Sequence, residues 1–129
     1  MDKVFLDTAY TIVLSSSSDE HHKKAVKIAE QLETNATKLV TTRAILLEIG
    51  NALAKFRYRK AAIELLDALE QDRNVEIVPV SEELYKQAFQ LYRERQDKEW
   101  GITDCISFVV MQKQGLTAAL TTDEHFQQA

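Results

Sequence analysis

Along the chain, short apolar runs alternate with longer stretches in which apolar residues recur at helical spacing. Val4-Phe5-Leu6 is the first run; it ends on Asp7 and predicts a buried strand. Thr8 to Leu14 predicts a short helix, and Asp19 to Glu33 a second, with Ala25, Ile28, Ala29 and Leu32 on one face. Ser15 to Ser18 reads as the turn and N-cap between them. Lys38 to Thr41 predicts a second strand, followed by a helix from Arg43 to Phe56. Lys60 to Gln71 predicts another helix, with Ala62, Leu65, Leu66 and Leu69 in one stripe. Val75 to Val80 alternates and is β-branched, a third strand closed by Pro79. Ser81 caps the next helix, whose acidic first turn, Glu82-Glu83, suits the helix dipole and which runs to Arg95. Thr103 reads as the cap of a helix to Gln114, stopped by Gly115. Ala118 to Thr121 predicts the fourth strand, and a last helical turn follows Asp123.

Strands separated by helical crossovers imply a parallel sheet covered on both faces. The expected fold is therefore α/β: a three-layer α/β/α sandwich with a parallel central sheet of about four strands. At 129 residues the chain is expected to be a single domain spanning 1–129. In such sheets ligands bind beyond the carboxyl ends of the strands.

Composition narrows the partners. No apolar run approaches the roughly 18 residues of a membrane span. Asp2 and Asp7 bracket the first apolar run, which rules against a secretory signal, and the lone Cys105 excludes an internal disulfide. The expected compartment is the cytoplasm. A net charge of −4 means that a nucleic-acid partner requires a local basic patch or a bound cation. The densest basic segment is Lys55-Phe56-Arg57-Tyr58-Arg59-Lys60. It has two readings: a track for an RNA backbone with a base stacked on Tyr58, or a solvated helix junction with Phe56 in the core.

Four carboxylates fall where the fold expects a ligand. Asp7 ends the first strand, Asp123 follows the fourth, and Asp104 lies in the first turn of the apolar helix 103–114. Glu48 borders the apolar stripe Ile45, Ile49, Ala52, Leu53 and Phe56, a costly position for a carboxylate with nothing to pair it. Taken singly, Asp104 and Asp123 read equally well as helix-start acids. Together the four call for a cation, and hard oxygen ligands favour Mg²⁺ or Mn²⁺.

Phe5-Leu6-Asp7-Thr8, Leu47-Glu48-Ile49-Gly50-Asn51-Ala52-Leu53, Asp97 to Cys105 and Ala119 to Phe126 resemble the PIN-domain ribonucleases, and within them the toxins of VapBC-type toxin–antitoxin pairs. The resemblance covers nearly the whole chain, and the order and spacing of the four acids are its specific part. It implies an Mg²⁺- or Mn²⁺-dependent endoribonuclease that cuts single-stranded RNA, a homodimer, and a cognate antitoxin protein that inhibits it. It also implies that Asp7, Glu48, Asp104 and Asp123 form the catalytic and metal-binding site. Gly101 stands where similar sequences often have Ser, and the chain ends at Ala129 where family members commonly add a short strand.

Other readings remain. The chain could be an inactive PIN-like module that only binds RNA or protein. The strand ending in Asp7-Thr8-Ala9-Tyr10-Thr11 is also similar to phosphatases of the haloacid dehalogenase type, but Ala9 occupies the place of their second Asp. Adjacent His21 and His22 read as solvated surface, Cys105 as a small core residue, Trp100 as a packing anchor, and Asp97 as a candidate outer acid.

Overall fold

Phe5 and Val40 lie side by side on adjacent strands, and neither is exposed to solvent. They mark the centre of a four-stranded parallel sheet in a computed structural model that describes residues 3–15 and 22–120. The strands are β1 (Lys3–Leu6), β2 (Lys38–Thr42), β3 (Val75–Val78) and β4 (Ala119–Leu120), in the order β3-β2-β1-β4. The helices are α1 (Thr8–Ser15), α2 (His22–Thr34), α3 (Arg43–Ala52), α4 (Phe56–Gln71), α5 (Glu82–Glu94) and α6 (Ile102–Gln114). Successive side chains of a strand point to opposite faces, and Val4, Phe5 and Leu6 are all buried, so β1 is covered on both sides. This is the expected α/β/α sandwich.

Most elements match the sequence reading, with two boundary corrections near the acids. The helix expected from Arg43 to Phe56 stops at Ala52, and the next begins at Phe56 rather than Lys60. The chain reverses between them so that α4 folds back along α3. A Cβ built on Gly50 would meet Leu66 at 3.8 Å, and Arg43 pairs with Glu70 at the other end of the hairpin. Neither Gly nor Pro marks this turn; the Arg59 guanidinium donates to the Ala54 carbonyl at 2.8 Å and takes up an acceptor there. As a result Phe56 is 99% exposed, and the reading that placed it in the core is wrong.

The second correction concerns α6. Its N-cap is Gly101, not Thr103, because the Asp104 carboxylate accepts the Gly101 amide at 3.1 Å and closes the first turn from inside. The other end is as expected. Gly115 takes the left-handed conformation (φ 67°), and Leu116 donates to the Met111 carbonyl at 2.8 Å. The expected start of α2 before His22, the end of the fourth strand and the turn after Asp123 lie outside the described residues.

Candidate active site

Asp7 sits where β1 gives way to α1, with 4% of its surface exposed. Thr11 fixes this turn by donating to the Asp7 carbonyl twice, from its amide at 3.2 Å and its hydroxyl at 2.8 Å. On the neighbouring strand the Thr41 hydroxyl donates to the Leu6 carbonyl at 3.0 Å, which locks β2 to β1 one residue before Asp7. A carboxylate held this deep at the carboxyl edge of a parallel sheet is expensive to desolvate. Beside it, Thr8 is buried and its hydroxyl oxygen has no hydrogen-bond partner among the described residues.

Asp104 approaches the same edge from α6. β4 runs parallel to β1, so α6 must descend toward the amino edge before β4 begins, which leaves its first turn near the carboxyl edge. Burial, and then the charge of Asp104, push the neighbouring Cys105 thiol up to about 11. Cys105 thus stays protonated at neutral pH, a core residue and not a nucleophile.

Glu48 comes from α3, whose N-cap Thr42 is also the last residue of β2. The helix buries Ile45, Leu46 and Ile49 and turns Leu47 and Glu48 outward, so Glu48 is exposed rather than set at the edge of a buried face. Of the predicted stripe, Ile45 and Ile49 are buried and Leu53 packs partly buried against the core, while Ala52 and Phe56 are exposed. Asp123, the fourth expected acid, lies outside the described residues. Among the described residues no three His, Cys, Asp or Glu side chains stand close enough together to hold a metal ion.

The remaining candidates resolve into structural roles. The Arg95 guanidinium grips Asp97 through two hydrogen bonds of 3.0 Å and holds its carboxyl below the usual range. Asp97 is therefore committed to Arg95. His22 donates from Nδ1 to the Val13 carbonyl at 3.0 Å, while His21 lies outside the described residues. Trp100 is indeed an anchor: its ring meets Phe108 edge-on at 4.8 Å and carries Arg95 over it at 5.1 Å. Sequence reasoning missed that this anchor walls a cleft, although the spacing of Tyr85, Phe89 and Tyr92, apart from the core positions Leu84 and Ala88, signals an aromatic face outside the core.

The PIN domain family model matches residues 4–129. The chain belongs to the PIN-domain family. The 23S rRNA-specific endonuclease VapC20 of Mycobacterium tuberculosis is 25% identical over 126 residues, which cover 98% of this chain and 93% of that protein. A crystal structure of Mycobacterium tuberculosis VapC20, described as a sarcin–ricin loop cleaving toxin, superposes with a TM-score of 0.84 at 24% identity. It covers 97% of this chain and 93% of the other. With the PIN-domain family shown over residues 4–129, the phosphatase reading falls away.

Proposed function

We propose that this PIN domain is a divalent-metal-dependent endoribonuclease that hydrolyses phosphodiester bonds of single-stranded RNA, the toxin of a type II toxin–antitoxin pair. The observation that carries the reading is Asp7: a buried carboxylate at the carboxyl edge of the sheet, beside the Thr8 hydroxyl, which has no partner among the described residues. The likeness to VapC20 over almost the whole chain supports an RNA substrate and the toxin class.

Asp7 and Asp104, joined by Asp123, would hold Mg²⁺ or Mn²⁺, for which a donor set of hard carboxylate oxygens is suited. A bound cation would lower the pKa of its water and offset charge on the phosphoryl oxygens. Since the described residues supply no complete set of three ligands, Asp123 or the substrate phosphate must finish the site. Glu48, exposed on α3, is free to meet a water at the scissile phosphate and take its proton. Thr11 and Thr41 hold the backbone at Asp7 and Leu6 in place before RNA arrives. A cognate antitoxin protein and a homodimer belong to this reading, as does a cytoplasmic site of action; no helix among the described residues is long and apolar enough to cross a membrane.

The test is cleavage of a single-stranded RNA and of an rRNA stem-loop in Mg²⁺, in Mn²⁺ and in EDTA, with Asp7→Asn as the control. Cleavage that needs the metal and Asp7 supports the proposal. RNA binding without cleavage under every condition points to the inactive-module reading.

A further inference from the structure

Tyr85, Phe89 and Tyr92 follow one another along α5 at steps of four and three residues, the spacing of a seam between paired helices. They are 45%, 40% and 47% exposed, and their ring centroids stand 6.1 and 6.3 Å apart in one continuous aromatic stripe. We propose that this stripe is a helix-pairing surface, on which α5 of a second copy of the chain lies antiparallel about a twofold axis near Phe89. The proposal deepens the ribonuclease reading by giving its homodimer a surface, and rests on that reading only for the expectation of a dimer.

One face of α5 is already committed to the core. Leu84 and Ala88 are buried, Leu91 packs against the same cluster, and the helix lies along α6. A helix with that contact alone carries polar residues elsewhere. Here a second face, turned away from the core, is aromatic, and aromatic side chains are enriched where protein surfaces meet. Charge then narrows the occupant. α5 carries Glu82, Glu83 and Glu94 against Lys86 and Arg93, so a phosphate backbone drawn along the rings would pass a helix of net negative charge. An uncharged or mixed-charge partner fits better.

A second α5 supplies that mix of charge. Glu82, Lys86 and Arg93 flank the stripe; Lys86 pairs with Glu82 at 3.5 Å, and the Arg93 guanidinium covers the Phe89 ring at 4.9 Å. In a parallel pair each charge meets its own copy, Lys86 on Lys86 and Arg93 on Arg93. In an antiparallel pair Tyr85 comes opposite Tyr92, and Glu82 of each copy comes near Arg93 of the other, because both pairs of residues straddle nearly the same point of the helix. A twofold axis makes each of these contacts twice. The two helix dipoles also run in opposite directions, which sets each acidic first turn beside the other helix's last turn.

Sedimentation equilibrium of the full chain in EDTA, over a range of concentrations, tests the surface. The expected result is a monomer–dimer equilibrium. Phe89→Ser should weaken it at least roughly tenfold, as loss of an aromatic anchor does, with the far-UV circular dichroism unchanged because the ring is not part of the core. Glu82→Arg and Arg93→Glu each bring like charges together and should each favour the monomer when alone. Mixed, the two variants restore both contacts and should associate again. A chain that stays monomeric at every concentration, or a dimer that Phe89→Ser leaves intact, overturns the proposal. Charge variants that do not reassociate on mixing overturn it too, since the antiparallel pairing requires them to. RNA cleavage is scored apart: a monomer that cuts sinks only the pairing surface, and a dimer that does not cut sinks only the nuclease reading.

Discussion

The Gly101 amide donates to Oδ2 of Asp104 at 3.1 Å, so the carboxylate proposed to bind metal also closes the first turn of α6. The two roles separate by substitution. In Asp104→Asn the amide oxygen can still accept from Gly101, while the charge that favours the helix dipole is lost. The variant should lose a few tenths to about 1 kcal/mol of stability in EDTA and all metal-dependent cleavage. Thermal melts and an RNA cleavage assay on the same preparation measure both. A variant more stable than wild type in EDTA would mean that repulsion among crowded acids outweighs the capping role.

Asp7 should behave differently, because it is buried and its environment is already fixed by Thr11 and Thr41. Asp7→Asn preserves shape and removes charge from a desolvated position. It should leave the fold and its melting temperature intact or slightly raised, while cleavage falls about a thousandfold, the equivalent of several kcal/mol of lost transition-state stabilisation. Near-normal turnover in this variant would remove Asp7 from the site.

The fold was legible because its signals are periodic. The all-apolar run at 4–6 needed a sheet covered on both faces, and Gly115 announced the end of α6 at the position where φ turns positive. The position of Asp7 could be read because a strand end fixes where the chain emerges from the sheet. Two features were not legible. The α3–α4 turn carries no Gly or Pro, and only the reversal itself, with Arg43 meeting Glu70, tells the helices apart. Glu48 was misjudged for the same reason: a stripe drawn through Phe56 tilts the apparent apolar face, and once the helix stops at Ala52 that face narrows to Ile45, Leu46 and Ile49. The α5–α6 cleft depends on long-range placement of Trp100 against Phe108, which no local pattern encodes.

Cys105 gives a pH dependence with a definite sign. Burial, with Asp104 adding to it, raises the folded thiol from 9.0 to about 11. Between those values the unfolded chain loses its thiol proton and the folded chain keeps it, so rising pH favours unfolding. Of the full two-unit effect, about 2 kcal/mol is lost by pH 11. The difference in stability between wild type and Cys105→Ala, followed from pH 8 to 11, should therefore shift in favour of the variant as pH rises. A constant difference would show that the thiol ionises alike in both states.

The tip of the α3–α4 hairpin offers a test away from the acids. From Ile49 to Ile63 the chain carries no Asp or Glu, while Lys55, Arg57, Arg59 and Lys60 fall within six residues. The Arg57 guanidinium lies over the Tyr58 ring at 4.8 Å, and Phe56 beside it is fully open to solvent. In a chain of net charge −4 this is a local cationic surface of the kind that tracks a phosphate backbone. Phe56→Ser should change stability by less than about 0.5 kcal/mol, because nothing packs on the ring. Arg57→Ala with Lys60→Ala, which spares the Arg59 bond to Ala54, should weaken single-stranded RNA binding. If each contacts one phosphate, the log–log slope of affinity against salt should also drop by about 1.4. Binding measured in EDTA at several salt concentrations decides the matter, and an unchanged slope would return the tip to solvated surface.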